Sequence, residues 1–362
     1  MPSEALAAAR LRIDLDALAR NYRLLCERAA PAECAAVVKA DAYGLGAVPV
    51  TRRLLREGCQ RFFVATLAEA AELRVVTPSA SIYVLEGVGF AAVDELVALR
   101  VTPVLNSLDQ VQRWRGCGRA LLHIDTGMTR LGLSAAEVAA LAARRELLDG
   151  IDVEFVVTHL ACADEPEHPL NREQLRRFDT LRAQLPPAPT SIGNSAGDFA
   201  DATYRGDLVR PGIGLYGGNP FSDRPNPMAS VVTLEAPILQ IREVDEPLTV
   251  GYGATYLASP PARLAVVGVG YADGYPRNLG NRGTAAVNGR RVPVVGRVSM
   301  DLICIDISAL PQDSVRVGDP AELIGPSVTL DEVAGAAGTI SYEILTGLGR
   351  RPVREYAQAK KA

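Results

Sequence analysis

The chain has 362 residues, of which 48% are hydrophobic, 22% charged and 5% aromatic. This length is enough for two domains with buried cores, and the composition excludes a disordered protein. The 38 basic and 42 acidic side chains give a formal net charge of −4, and no basic stripe stands out. The charge balance disfavours nucleic acid or an anionic membrane as a partner and favours a small-molecule enzyme.

Targeting, disulfide and metal signals are weak. The first residues carry no apolar core behind a basic end, and no uninterrupted apolar stretch is long enough to span a membrane, so we expect a soluble, cytoplasmic protein. The six cysteines are scattered without a Cys-x-x-Cys pair. The three histidines are dispersed, and we therefore expect neither a disulfide framework nor a bound metal.

Short apolar runs recur about every 20 residues through the first 215 positions. After a tail (1–10), a short strand at Leu11 to Ile13 precedes a helix with an Asp near its first turn. Eight strand-like runs follow: CAAVVKA, RFFVATL, SIYVLEG, VTPVLNS, ALLHIDTG, DVEFVVTHLA, TSIGNSAG and GDLVRPGIGLYG. Amphipathic segments such as AAVDELVALR and SAAEVAALAARREL separate several of them. This alternation favours an α/β fold with a (β/α)₈ TIM-type barrel over 11–225, although a doubly wound sheet gives a similar pattern.

The sequence pattern changes after a Pro/Asn-rich stretch at Asn219 to Pro227. The following residues alternate with period two and contain no long amphipathic helix until about Leu330. Asn288-Gly289 stands between two apolar runs and predicts a β-hairpin. We therefore predict a mainly-β C-terminal domain over 226–362, with which the strand at 11–13 is able to pair.

In a (β/α)₈ barrel the active site is built at the carboxyl ends of the strands, so we expect the functional residues at those ends. Polar residues are concentrated there: Lys39, Tyr43, Asp125, Arg130, His159, Asn194, Ser195 and Arg210. Lys39 follows the apolar run AAVV, where desolvation favours a neutral, nucleophilic amine suited to a Schiff base. Taken alone, it is also explained by a lysine that extends to solvent or forms a salt bridge.

Two glycine-containing loops close the last two strands. Asn194-Ser195-Ala196-Gly197 and Pro211-Gly212-Ile213-Gly214 occupy the position at which barrels commonly bind phosphate through backbone N–H groups. Either loop alone is equally explained by a chain turn.

At these residues the sequence resembles the alanine racemases, homodimeric pyridoxal-phosphate (PLP) enzymes of fold type III built from a barrel and a β domain. The resemblance covers nearly the whole chain and rests on six motifs in order: VVKADAYGLG, HIDTGMTRLG, RPGIGLYG, VGYGATY, GVGYADGYPR and GRVSMD. It implies that the chain interconverts L- and D-alanine and supplies D-alanine for peptidoglycan.

The resemblance also implies site residues. Lys39 and Tyr271 of the partner subunit would be the two catalytic bases, and Lys39 would carry PLP as a Schiff base. The other residues implied to bind the cofactor are Tyr43, Arg130, His159, Asn194, Ser195, Arg210, Gly212 and Ile213. Arg130 would also bind the substrate, together with the partner's Met300 and the partner's Asp301. For the residues by themselves, Tyr271 is also explained as a core or edge tyrosine and Arg210 as a structural salt bridge.

Racemisation removes a proton on one face of a planar carbanion and delivers one on the other, so it needs acid/base groups on opposite sides. In the family the lysine handles the D-enantiomer's proton and the tyrosine the L-enantiomer's. Arg210 would face the pyridine nitrogen of PLP. Because a guanidinium keeps its protons, that nitrogen would stay unprotonated, which favours racemisation over transamination.

The chain departs from the family pattern in two places. Many members carry a carbamylated lysine where this chain has His123, so Arg130 is held by Asp125, by a bound anion, or less tightly. A phosphate-contacting tyrosine of some members aligns with Arg350, whose cation is able to replace that hydrogen bond.

Other functions stay open at this point. A serine or broad-specificity racemase differs by a few side chains that the sequence does not locate. A non-catalytic PLP-binding homeostasis protein shares the lysine-bearing barrel but lacks the β domain. A PLP decarboxylase would carry a late catalytic cysteine, whereas Cys304 lies in the strand-like run LICIDIS.

Overall fold

The computed structural model describes residues 9–89 and 93–358, so most of the predicted N-terminal tail (1–10) lies outside the described residues. The chain divides into two compact units. One comprises Ala19–Leu215 and Asn219–Met228. The other comprises the described residues before Ala19, Tyr216–Gly218 and the described residues from Ala229 onward.

The first unit is built on short parallel strands. Seven form one sheet in chain order: Ala36–Val37, Arg61–Val64, Ser81–Val84, Thr102–Leu105, Gly118–His123, Ile151–Val157 and Thr190–Ser191. The next strand, Leu208–Val209, pairs in parallel with Glu33–Cys34, which directly precedes the first strand of the sheet. The Arg210 N–H also donates to the Gly193 carbonyl oxygen at 2.8 Å, joining the last strand to the seventh. The predicted (β/α)₈ barrel is confirmed.

Burial explains why the strand sequences read as continuous apolar runs. RFFV, SIYV and TPVL each have one partly exposed residue followed by three buried ones. A parallel barrel strand is covered on both faces, so its apolar residues do not alternate with polar ones.

Helices separate most of these strands. They are Ala47–Arg56, Leu67–Val76, Val93–Ala98, Leu108–Trp114, Ala135–Ala143, Pro169–Arg182 and Ser195–Phe199, in addition to Leu15–Ala29 at the start of the chain. Thr66 and Ser134 each begin a helix whose third residue is Glu, and both pairs form reciprocal capping boxes. The predicted helix at 91–100 is found at Val93–Ala98, and its first two predicted residues lie outside the described residues.

The second unit contains an eight-stranded, largely antiparallel sheet. Its order is Ala262–Val267, Ile303–Asp306, Arg290–Val295, Thr284–Val287, Pro320–Ile324, Val232–Val244, Arg10–Asp14 and Val353–Ala357. Val232–Val244 also pairs with Ala262–Val267. Arg10–Asp14 pairs antiparallel with Val232–Val244 and parallel with Val353–Ala357. The predicted mainly-β C-terminal domain is confirmed.

Smaller elements complete this unit. Leu248–Val250 pairs with Tyr256–Ala258, and the helices are Leu330–Ala337 and Ser341–Gly347. The predicted Asn288-Gly289 hairpin is confirmed: both residues have positive φ, at 51° and 73°, as its two-residue turn requires. Within the described residues, no helix is long and apolar enough to cross a membrane.

Candidate active site

Lys39 lies two residues beyond the end of the first buried strand of the barrel sheet, Ala36–Val37, and is itself half-buried. Burial lowers the pKa of its amine, and the nearby Arg130 guanidinium lowers it further, while Glu69 opposes the shift. Both main causes penalise the ammonium form. The strand end therefore presents an amine that loses its proton more easily than a solvated lysine.

The four residues after Lys39 form a left-handed turn. Ala40–Tyr43 have φ between 52° and 58°, although none is glycine. This conformation costs roughly 1–2 kcal/mol per residue, so the surroundings must hold it. The Ala40 N–H donates to Glu69 Oε1 at 2.7 Å, and the Ala47 N–H donates to Asp41 Oδ1 at 2.6 Å. The turn places Tyr43 four residues beyond Lys39 with its side chain buried.

Glu69 is a residue that the sequence analysis missed. Its other oxygen, Oε2, accepts from the Ala65 N–H at 2.7 Å and the Thr66 N–H at 3.3 Å. The pattern Thr-x-x-Glu at 66–69 signals the capping box, but the contact with Ala40 depends on how two strand ends meet in space.

Tyr43 lies against the loop that follows the last barrel strand. A Cβ atom on Gly212 would lie 2.2 Å from Tyr43 Oη and 3.0 Å from its Cζ, closer than any side chain can approach. A side chain at position 212 would therefore displace Tyr43 or the loop, whereas glycine lets the backbone lie against the tyrosine hydroxyl.

The two predicted phosphate-binding loops meet at Ser195. Its Oγ accepts from the Gly212 N–H at 2.9 Å and the Gly214 N–H at 3.2 Å. Asn194 Oδ1 accepts from the N–H groups of Ala196 and Gly197, at 3.1 and 3.0 Å, and so begins the helix Ser195–Phe199. Ile213 is fully buried beside these groups. Two backbone donors of the second loop therefore converge on the hydroxyl of Ser195 in the first loop.

Arg210 is buried in the barrel with neutral hydrogen-bond acceptors. Its NH2 group donates to the Thr158 carbonyl oxygen at 2.7 Å and to His159 Nδ1 at 3.3 Å, and its NH1 group donates to Ser191 Oγ. Among the described residues, no carboxylate lies within ion-pair distance of Arg210. The alternative that Arg210 is a structural salt bridge is therefore wrong.

Electrostatics fix the protonation of this pair. Burial lowers the pKa of Arg210 to about 10, so the guanidinium stays charged at neutral pH. Burial, with the positive charges of Arg210 and Arg130, holds the pKa of His159 well below its ordinary value. His159 is then a neutral imidazole whose Nδ1 accepts from Arg210, which leaves its proton on Nε2.

His123 is the first position at which the chain departs from the family pattern. His123 Nδ1 lies 2.7 Å from Asn106 Oδ1. Burial and the neighbouring Arg210 lower the pKa of His123 to about 4, so it is neutral. Asp125 Oδ1 accepts from the N–H groups of residues 127, 128 and 129 at 2.9–3.0 Å. Within the described part of the chain, Arg130 is exposed and has no ion-pair partner.

The remaining predicted site residues belong to the second unit. Tyr271 opens a short 3₁₀ turn and is 42% exposed, so it is not a core tyrosine. Its N–H donates to the Ser299 carbonyl oxygen at 3.1 Å, which brings it beside Met300 and Asp301. Met300 and Asp301 are also exposed. The motifs GVGYADGYPR and GRVSMD thus form one surface of this unit.

In the first unit, an amine of lowered pKa, convergent backbone donors and a buried guanidinium occur on a single barrel. They define a barrel enzyme suited to a phosphorylated, carbonyl-bearing cofactor. Comparison with known proteins agrees. The family model of the alanine racemase N-terminal domain matches residues 13–220 of the sequence. The family model of the alanine racemase C-terminal domain matches residues 231–356.

Individual relatives match over almost their whole lengths. The catabolic alanine racemase of Agrobacterium fabrum is 49% identical over 97% of this chain and 93% of its own length. The alanine racemase of Rhodospirillum rubrum is 48% identical over 100% of this chain and 99% of its own. The crystal structure of alanine racemase from Bartonella henselae, with covalently bound pyridoxal phosphate, is 39% identical, covers 97% of this chain and 100% of its own, and superposes with a TM-score of 0.93.

The chain therefore belongs to the alanine racemase family. It is a PLP-dependent amino-acid racemase.

Proposed function

We propose that the chain interconverts L- and D-alanine at two sites shared across a homodimer, each using Lys39 of one subunit and Tyr271 of the partner subunit. The observation that carries this proposal is the half-buried Lys39 amine, with its lowered pKa, on the same barrel as the buried Arg210–His159 pair. We assign residues 11–225 to the cofactor-binding barrel and 226–362 to the C-terminal domain, with the strand at 11–13 pairing with the sheet of that domain. Its cytoplasmic location stays a prediction.

The barrel fits the cofactor. The N–H groups of Gly212 and Gly214 converge near Ser195, and Gly212 leaves room where a Cβ atom would overlap Tyr43. We propose that Tyr43, Ser195, Gly212 and Ile213 hold the phosphate, with Asn194 orienting the Ser195 loop. We propose that Lys39 binds the aldehyde carbon. When bound, PLP supplies an electron sink that acidifies the α-hydrogen of an attached amino acid.

The chain's own groups then move the proton. Lys39 Nζ, whose neutral form is favoured by burial, takes or returns the proton of the D-enantiomer. The hydroxyl of Tyr271 of the partner subunit does the same for the L-enantiomer. Arg130 binds the substrate carboxylate and the phenolic side of the cofactor, and the partner's Met300 and the partner's Asp301 bound the substrate.

Arg210 directs the outcome of the reaction. We propose that it faces the ring nitrogen, with His159 beside it. Its pKa of about 10 keeps the guanidinium charged at neutral pH, and its nearest acceptors are uncharged. A donor that cannot take up a proton leaves the nitrogen facing it unprotonated, which favours racemisation over transamination.

Tyr271→Phe tests the tyrosine's role. We expect this variant to bind PLP normally but to lose most exchange of the α-hydrogen of L-alanine in deuterated water, because the hydroxyl is the proposed base for that enantiomer. Tyr256→Phe is a matched control, since this half-buried tyrosine lies on the short strand Tyr256–Ala258. Equal exchange in Tyr271→Phe and the parent would contradict the proposal.

Mixing two inactive variants tests the sharing of sites between subunits. After reassortment of Lys39→Ala with Tyr271→Phe, half of the dimers are mixed and each has one intact site, so activity should return to about a quarter of the parent's. No recovery, in mixtures shown to contain mixed dimers, would contradict a shared site.

The physiological role is the finer part of the proposal. We propose supply of D-alanine for peptidoglycan. Both roles occur among relatives: the Agrobacterium fabrum alanine racemase is catabolic and the Pseudomonas aeruginosa alanine racemase is biosynthetic. A D-alanine requirement in cells lacking the gene would support the biosynthetic role. Assays with L-serine and other small amino acids separate alanine from broader specificity.

A further inference from the structure

One guanidinium in the second unit joins three segments of the chain. Arg351 Nε lies 3.2 Å from Asp273 Oδ1, and its NH1 group lies 2.6 Å from Asp301 Oδ1. Asp273 is almost completely buried, whereas Asp301 is exposed. Arg351 therefore connects the turn that contains Tyr271 with the loop that contains Met300 and Asp301.

Asp273 in turn fixes the backbone of the tyrosine turn. Its Oδ2 accepts from the Gly270 N–H at 2.9 Å, and its own N–H donates to the Gly270 carbonyl oxygen at 3.0 Å. These two bonds close the turn around Tyr271. A change in the position of the Asp273 carboxylate therefore shifts the base of the tyrosine side chain.

The turn and the loop are packed backbone against backbone. The Ala272 N–H donates to the Met300 carbonyl oxygen at 3.0 Å. A Cβ atom on Gly270 would lie 2.3 Å from that oxygen, and one on Gly349 would lie 2.7 Å from the Ala272 carbonyl oxygen. The segments are therefore in close backbone contact, and Arg351 adds an ion pair to each of Asp273 and Asp301.

The geometry requires an arginine. Its planar guanidinium donates a hydrogen bond from NH1 to Asp301, while its Nε lies at ion-pair distance from Asp273, so one rigid group serves two carboxylates on different loops. A lysine has one compact ammonium group at the end of a flexible chain and does not reproduce this geometry. Loss of the cation would also leave the buried Asp273 facing Asp301 without the positive charge between them.

We propose that Arg351 is a positioning residue for racemisation, which sets the location of the Tyr271 hydroxyl relative to the Met300–Asp301 loop. The inference rests on the proposed function, because it assigns Arg351 a role through Tyr271. It predicts an asymmetric defect: proton transfer at the L-enantiomer depends on Arg351, whereas proton transfer at the D-enantiomer, assigned to Lys39, does not.

Arg351→Lys in the holoenzyme tests this asymmetry. The readout is the initial rate of α-deuterium incorporation into L-alanine divided by that into D-alanine, both in deuterated water. We expect this ratio to fall by about tenfold or more, since a misplacement of about 1 Å can slow a reaction by up to ~10²-fold. Asp301→Asn, which removes one of the two ion pairs, should lower the ratio in the same direction by less.

Arg291→Lys is the matched control. Its guanidinium pairs with Glu332 at 2.7 Å and is about as exposed as that of Arg351, but it contacts neither the Tyr271 turn nor residues 299–301. Its exchange ratio should equal the parent's.

The outcomes separate the two hypotheses. An unchanged ratio in Arg351→Lys, or an equal loss of both exchange rates, would overturn the positioning role. Arg351→Gln provides the same decision if Arg351→Lys does not fold. Tyr271→Phe is measured in parallel: if it leaves the ratio unchanged, the proposed function fails, whereas a lowered ratio in Tyr271→Phe alone refutes only the role of Arg351.

Discussion

Gly212 offers a direct test of the proposed phosphate site in the barrel. In Gly212→Ala the new methyl carbon would lie 2.2 Å from Tyr43 Oη, whereas heavy atoms in contact lie about 3.5 Å apart. The tyrosine or the loop must therefore move by more than about 1 Å. The Gly212 N–H, now 2.9 Å from Ser195 Oγ, moves with the loop.

This displacement should weaken cofactor binding without removing the Lys39 amine. A hydrogen bond to a charged group contributes about 1.5–3 kcal/mol, so losing the proposed bond from Tyr43 to the phosphate should raise the apparent dissociation constant for PLP roughly ten- to a hundredfold. The constant is measured by titrating the PLP-depleted protein and following the visible absorption of the bound cofactor.

Gly214→Ala is the matched control on the same loop. Its Cβ atom would lie 3.4 Å from the nearest atoms, Cβ and Oγ of Ser195, which is ordinary van der Waals contact. We expect PLP affinity close to that of the parent. If Gly212→Ala binds PLP as tightly as the parent, or if both variants are weakened equally, the assignment of the phosphate to the Tyr43–Gly212 contact is refuted.

Two further predictions concern buried titratable groups. Asp198 is fully buried and burial raises its pKa to about 7, so the folded state loses stability as the pH rises from about 4 to about 7. Asp198→Asn should therefore stabilise the protein by about 4 kcal/mol at pH 8 but only about 2 kcal/mol at pH 5, and an equal effect at both pH values in urea unfolding would contradict this. His123, with its pKa lowered to about 4, is neutral in the working range. His123→Gln should leave the shape of the pH–rate profile between pH 6 and 9 unchanged, and a lost or displaced limb would show that His123 titrates there.

The sequence predicted the fold and the strand-end chemistry because both depend on local patterns. Apolar runs at regular spacing predicted the barrel strands, and Asn288-Gly289 predicted the hairpin that the structure contains. Lys39 and Arg210 were identified because in a parallel barrel all carboxyl strand ends meet at one face. Motifs that carry the family's residues added Tyr271, which composition and periodicity alone do not select.

Local patterns did not predict the strain at Ala40–Tyr43. Alanine, aspartate and tyrosine give no signal for a left-handed turn, and the conformation depends on Glu69 from a different strand-to-helix connection. The sequence drew attention to Arg350, but its neighbour Arg351 makes the ion pairs with Asp273 and Asp301. Adjacent arginines are equivalent in composition and differ only in where the backbone directs them.

The sequence by itself determined the order of the elements, the barrel followed by a mainly-β domain, and the residue types at the strand ends. The tertiary structure decided the state of those residues: that Arg210 is charged with no carboxylate at ion-pair distance among the residues described, that His159 and His123 are neutral, and that Lys39 has a lowered pKa. The physical reason is that desolvation and pairing depend on groups distant in sequence, whereas strand periodicity and turn propensity depend on neighbours along the chain.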